Sequence, residues 1–187
     1  PLMRLYALCD TDTLAKHGVG YEEFVQRAKK FGAEVLQYRN KKGDVAAIKA
    51  DLIALRRLWD GYLIVNDQYE LASFCDGVHI GQEDLTAIDL DPVRAVKILK
   101  MAIGDDKIIG LSTHSQKEIE IANALDINYI GLGAYRSTAT KSDAKVLGEK
   151  LDAIAAFSRH PVAAIGGVKL DDQFRHVTYW VIGSGLL

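Results

Sequence analysis

The sequence predicts an α/β chain folded as a (β/α)8 TIM barrel, with residues 1–187 as a single barrel domain. Two observations carry this expectation. Short apolar runs that end in glycine or polar residues alternate with stretches of helical periodicity, which is the pattern of a parallel sheet covered by helices. Eight such runs can be counted, the number at which a parallel sheet closes on itself. A chain of 187 residues that is 49% hydrophobic can bury one sizeable core, and no linker or low-complexity stretch divides it. An open doubly wound sheet is the alternative with the same alternation.

Taken in order, RLYALC at 4–9 is the first strand, and a polar loop follows over 10–20. Tyr21, Phe24, Val25, Ala28 and Phe31 recur at helical spacing, and Gly32 stops that helix. EVLQYR at 34–39 is strand two. Asp44 caps a helix whose Ile48, Leu52, Leu55 and Trp59 share one face, and Gly61 closes it. Leu63–Val65 and Val78–Ile80 are strands three and four, with a short helix over 68–74 between them. Asp91 and Pro92 open a helix to about Met101. KIIGLS at 107–112 is strand five, and Ser115 with Glu118 has capping-box spacing ahead of Ile119, Ala122 and Leu125. NYIGLG at 128–133 is strand six, followed by a long polar loop over 134–148 and a helix over about 149–158. Residues 161–165 form strand seven, a short helix covers about 169–174, and Tyr179–Ile182 is strand eight. The chain stops soon afterwards at Leu187, so the final helix of a barrel is expected to be absent. Either the chain is cut short or another surface, such as a subunit interface in a homo-oligomer, covers the seam between strands eight and one.

A formal net charge of −2 gives no overall basic excess for nucleic acid or an anionic membrane. No apolar run approaches the roughly 20 residues needed to span a bilayer. The start has no signal-peptide layout, because Asp10 and Asp12 interrupt it, and a cytoplasmic location is expected. Cys9 and Cys75 lie far apart in or beside apolar runs, which suits buried free thiols.

The candidate site is organised around YLIVNDQYELASFCDGVHIGQEDL at 62–85. Strand three ends in Asn66 and Asp67, and strand four runs into Gly81 and then Gln82, Glu83 and Asp84. If these strands are parallel neighbours, Asp67 and Asp84 stand at the barrel end where ligands bind. They could face one hard cation, since Mg²⁺ takes one or two carboxylates plus substrate phosphates. Separately, Asn66–Asp67 reads equally as a turn and Asp84 as a helix cap. Gln37, Tyr38, Arg39, Asn40, Lys41 and Lys42 close strand two with cations suited to a diphosphate, although the stretch alone also reads as a solvated basic loop. Ser112–Ser115 is a strand end plus a cap, and His114 lies nearer the expected mouth than His79, which reads as a histidine of the core or one supporting the site from behind. Thr138, Thr140 and Lys141 suit an anion in the long loop. Gly166–Gly167 and Gly183–Ser184–Gly185 follow strands seven and eight, where barrels often hold phosphate.

These motifs together resemble the thiamine phosphate synthase family, also called thiamine-phosphate pyrophosphorylase, which includes the related thiazole tautomerases. The family carries a Q-L-R-E-K type motif, an N-D strand end, G-V-H-L-G-Q-E-D, a strand-five serine before an x-H, G-P-x-F-P-T-x-T-K and A-I-G-G-I. This chain reads QYRNK at 37–41, ND at 66–67, GVHIGQED at 77–84, STH at 112–114, GAYRSTATK at 133–141 and AIGGV at 164–168. The resemblance implies a (β/α)8 transferase that joins 4-amino-5-hydroxymethyl-2-methylpyrimidine diphosphate to 4-methyl-5-(2-phosphooxyethyl)thiazole and releases pyrophosphate. It implies Mg²⁺ held by Asp67 and Asp84. It implies Gln37, Arg39, Lys41, Asn66, Ser112 and Lys141 around the pyrimidine diphosphate, with Arg39, Lys41, Lys141 and Ser112 serving catalysis. It implies Thr138, Thr140, Gly167, Ile182 and Gly183 around the thiazole phosphate. The chain departs from the pattern at Asn40, where the family has glutamate. Ala134, Arg136 and Ser137 replace a proline, an aromatic residue and a proline, and Gly183 replaces a serine. Two other readings are weighed against the synthase. One is a metal-independent tautomerase with His114 as its acid–base group. The other is a non-catalytic phosphate-binding barrel.

Overall fold

The computed structural model describes residues 3–138 and 145–187. Within them eight parallel strands close in the order β1 to β8. The strands are β1 Arg4–Asp10, β2 Val35–Arg39, β3 Tyr62–Asn66, β4 Gly77–Ile80, β5 Ile108–Thr113, β6 Tyr129–Leu132, β7 Val162–Ala164 and β8 Tyr179–Ile182. β8 pairs back onto β1, with Arg4 opposite Tyr179 and Ala7 opposite Ile182. The barrel is therefore closed, and the open doubly wound alternative is excluded.

The period of two along each strand sorts the side chains into two layers. Leu5, Ala7 and Cys9 of β1 point outward and join Leu36 and Tyr38, Leu63 and Val65, Val78 and Ile80 under the helices. The alternate residues Tyr6, Val35, Ile64, Tyr129, Ala163 and Val181 fill the barrel interior. This is the packed interior expected of an eight-stranded barrel, with no pore below the mouth.

Among the described residues seven α-helices cover the outside: α1 Thr11–His17, α2 Tyr21–Lys30, α3 Val45–Leu58, α4 Gln82–Ile88, α5 Pro92–Ile103, α6 Gln116–Ala122 and α7 Lys150–Ala155. α1 falls where the sequence reading placed only loop, and α4 falls where it read no more than a helix cap at Asp84. α1 buries only Leu14, too little for a periodic apolar face. Its ends are set instead by capping: Asp10 accepts from the Thr13 N–H, and Gly18 closes the helix at φ 64°. α4 starts on a one-sided cap in which Asp84 Oδ2 accepts the Gly81 N–H at 3.0 Å, glycine having no side chain to return the bond. At α6, Ser115 caps Glu118 as expected, but the Glu118 carboxylate turns back to the His114 N–H instead of the cap residue's own N–H. The segment over 68–74 is a 3-10 helix over Tyr69–Phe74.

The short helix expected at 169–174 is not formed. There Asp172 accepts from the Lys169 N–H at 2.7 Å and closes a turn, and its carboxylate also pairs with Arg136. A side chain that competes for backbone donors in this way favours a turn over a helix. Beyond β8 a 3-10 turn, Ser184–Leu186, packs under α2, where the Leu186 carbonyl accepts from Arg27 at 3.2 Å. Cys9 and Cys75 are free and buried, and burial pushes both thiols upward in pKa.

Candidate active site

One cavity opens at the C-terminal end of the strands. Its walls follow from the strand period: Leu8 and Asp10 from β1, Gln37 and Arg39 from β2, Asn66 from β3, His79 from β4, Ser112 from β5 and Gly131 from β6 are all inward positions. The loop residues Gly133, Ala134, Thr138, Gly166, Gly167, Gly183, Ser184 and Gly185 complete the rim. His114 also lines it, held by Glu118 Oε1 at 3.0 Å from its Nδ1. The parity explains one site residue that the structure does not bring to the cavity. Ile182 is an outward position of β8, 1% exposed, and packs in the barrel–helix layer, whereas its neighbour Gly183 reaches the rim.

On the β1–β3 side, charge is tightly ordered. Arg39 pairs through Nη1 with Asp10, which is 3% exposed. Asp10 also accepts from the Thr13 hydroxyl at 2.8 Å, so one carboxylate both caps α1 and fixes the guanidinium. Sequence reading missed Asp10. The signal was its place four residues beyond Tyr6, on the same inward parity. Lys41 pairs with Asp67 at a half-exposed position. Asp67 adopts φ 66°, which is strained for a residue with a Cβ. Its N–H is bonded to the His79 carbonyl of β4 at 2.9 Å, which holds the turn. Asn40, the departure from glutamate, accepts the N–H groups of Lys42 and Gly43 and donates to the Tyr38 hydroxyl. It shapes the loop that carries Lys41.

On the β6–β8 side the rim is backbone-rich. Gly166 and Gly167 sit at φ 98° and 63°, and a Cβ on either would collide with Ala134 or Arg136. Arg136 donates to the Gly167 carbonyl and makes a forked pair with Asp172 at 2.7 Å. The residue that departs from the family's aromatic therefore clamps the β6 loop onto the β7 loop. Thr140 and Lys141 lie outside the described residues.

Asp67 and Asp84 stand just beyond the ends of the paired strands β3 and β4. Neither lines the cavity itself, though Asn66 beside Asp67 does. Among the described residues no three potential ligating side chains gather into a metal cluster. Mg²⁺ needs only one or two carboxylates with substrate phosphate, and each residue carries oxygen donors of that chemistry, Asp67 facing the Lys41 ammonium and Asp84 accepting the Gly81 N–H.

The deepest polar groups form a chain across the barrel. Gln37 Nε2 donates to the Tyr6 hydroxyl at 2.7 Å, the Tyr6 and Tyr129 hydroxyls are 2.6 Å apart, and His79 joins Tyr129 through Nδ1 at 2.9 Å and Ser112 through Nε2 at 2.8 Å. Burial pushes the Tyr6 phenol up to about 12 and holds Tyr129 well above the ordinary phenol value, so both keep their protons at neutral pH.

A family model described as thiamine monophosphate synthase matches residues 5–177. The chain belongs to the thiamine monophosphate synthase family. It is 34% identical to the thiamine-phosphate synthase of Persephonella marina over 172 residues, which cover 89% of this chain and 77% of that protein. Against the thiamine-phosphate synthase of Lawsonia intracellularis it is 36% identical, over 88% of this chain and 74% of the other. The solved thiamine phosphate pyrophosphorylase of Pyrococcus furiosus superposes with a TM-score of 0.71 at 28% identity, covering 89% of this chain and 76% of that one. As a member of the thiamine monophosphate synthase family, the chain carries the closed barrel that the sequence predicted.

Proposed function

We propose that this chain is a thiamine phosphate synthase, a transferase that joins the pyrimidine diphosphate to the thiazole phosphate and releases pyrophosphate. One observation carries the reading beyond family membership. A single cavity has an ordered cation, Arg39, on one side and a glycine-rich rim, Gly166, Gly167 and Gly183, on the other. That arrangement suits two phosphorylated substrates presented to each other.

The diphosphate is a leaving group on a CH₂ attached to an electron-rich aminopyrimidine. Its departure leaves a stabilised pyrimidinylmethyl cation, which the thiazole nitrogen captures. No protein nucleophile is required. Arg39, Lys41 and Lys141 neutralise the departing charge, and Asn66, Gln37 and Ser112 orient the pyrimidine. Thr138, Thr140, Gly167 and Gly183 hold the thiazole phosphate. Asp67 and Asp84 would hold Mg²⁺, which supplies charge neutralisation to the diphosphate.

The test is pyrophosphate release from both substrates, with and without Mg²⁺. Release that needs both substrates and the metal is expected. Binding of thiazole phosphate with no release under any condition would overturn the synthase in favour of a binding barrel. The orientation of His114 by Glu118 at the rim favours one competing reading, metal-independent thiazole tautomerisation. Isomerisation of the thiazole that persists in EDTA and is lost in His114→Ala would establish it.

A further inference from the structure

The chain Gln37–Tyr6–Tyr129–His79–Ser112 crosses the interior with every link between 2.6 and 2.9 Å. It is built on purpose-made space. A Cβ on Gly110 of β5 would lie 2.2 Å from the Tyr129 ring, and one on Gly131 of β6 would lie 3.2 Å from the His79 ring. The two tyrosine rings also meet edge to face, with centroids 5.8 Å apart. None of Tyr6, Tyr129 and His79 has a part in the reaction proposed above.

Proton counting fixes the polarity of such a chain. Four links need four donated protons. The amide nitrogen of Gln37 gives the first, to the Tyr6 oxygen. Among the described residues the Tyr6 hydroxyl meets only the Gln37 amide nitrogen, which is a donor, and the Tyr129 hydroxyl, so its one proton goes to the Tyr129 oxygen. Tyr129 donates in turn to His79 Nδ1. His79 is then protonated on Nε2 and donates to Ser112 Oγ. The fifth proton, on the Ser112 hydroxyl, has no place within the chain and is free for the cavity that Ser112 lines.

We propose that Tyr6, Tyr129 and His79 are positioning residues that hold Ser112 as a hydrogen-bond donor to a ligand acceptor, with the polarity set from across the barrel by the Gln37 amide. A group at position 37 that can only accept would reverse every link. His79 would become the Nδ1–H tautomer, and Ser112 would turn its proton inward and present an acceptor. The arrangement is a property of the ligand-free protein and stands independently of the reaction assigned to the cavity.

The experiment is ¹⁵N NMR of histidine-labelled protein, which reads the protonated nitrogen of each ring directly. In the wild type, His79 is expected as one Nε2–H tautomer with a hydrogen-bonded Nδ1. An Nδ1–H ring, an averaged pair of tautomers or an imidazolium at pH 7 overturns the proposal. In Tyr129→Phe the ring is kept and the donor lost. The His79 Nδ1 resonance should then move to the position of a nitrogen without a hydrogen bond, and an unmoved resonance is fatal. In Gln37→Glu the His79 tautomer should follow the ionisation of the new carboxyl, read from its ¹³C shift: Nε2–H while it is protonated and Nδ1–H once it is ionised. A tautomer indifferent to that ionisation contradicts the relay. Should Gln37→Glu fail to fold or to ionise, the wild-type and Tyr129→Phe spectra decide.

Discussion

Asp10 and Arg39 show how one buried pair serves both stability and the site. The carboxylate is almost fully buried and carries three bonds: to Arg39, to the Thr13 N–H and to the Thr13 hydroxyl. Asp10→Asn keeps the size and a capping oxygen but leaves the guanidinium without its counter-charge. It is expected to cost about 1–3 kcal/mol in urea unfolding. It should also raise KM for the pyrimidine diphosphate roughly tenfold with a smaller change in kcat, a loss of ground-state binding measurable by steady-state kinetics. Asp67→Ala is a different case. It removes a carboxylate from a left-handed turn where alanine is no better suited. We expect it to lose most turnover, and wild-type-like rates at saturating Mg²⁺ would sink the proposed role.

At the scale of elements, the two loops that follow β6 and β7 are joined by Arg136 and Asp172. The guanidinium beside Asp172 holds its carboxyl below the ordinary carboxylate range. A depressed pKa gives stability that is present above the unfolded-state value and lost as pH falls through the folded-state value. The gap in Tm between wild type and Asp172→Asn should therefore be full at neutral pH and close below about pH 4. A gap that widens in acid would contradict this assignment. Strand glycines matter at the same scale. Gly110→Ala pushes a methyl into the Tyr129 ring across the β5–β6 pairing and is expected to destabilise by about 1–3 kcal/mol, read from the urea midpoint. α1, which sequence reading missed, and α4, of which it read only the cap at Asp84, are short and lack an apolar stripe. Their start signals, Asp10 and Asp84, are side-chain caps that the same residues could equally have spent on a turn. The helix wrongly expected at 169–174 failed for the converse reason. Asp172 had partners in a distant loop that no local pattern reveals.

For the whole molecule, closure makes each inward side chain answer to several strands at once. Ile64 is 1% exposed inside the barrel beside Tyr6, Val35, Tyr129, Ala163 and Val181. Ile64→Ala should cost about 2–5 kcal/mol. We expect unfolding as one transition, with the urea midpoint lowered and the m-value unchanged. Among the described residues no helix is long and apolar enough to cross a membrane. The alternation of apolar runs with helical periods determined the (β/α)8 class, the strand ends and therefore which residues face the ligand end, because period and order are local properties of the chain. The family resemblance singled out Gln37, Arg39, Asn66, Ser112, Thr138, Gly167 and Gly183, and these do line one cavity, whereas Lys41, Asp67, Asp84 and Ile182 do not. Only the tertiary structure decided that Asp10 holds Arg39, that Arg136 clamps the β7 loop and that five side chains from five strands form one polar chain. Each of these is a contact between residues roughly 30 or more positions apart, paired by barrel closure, and no periodicity along the chain records which inward side chains meet.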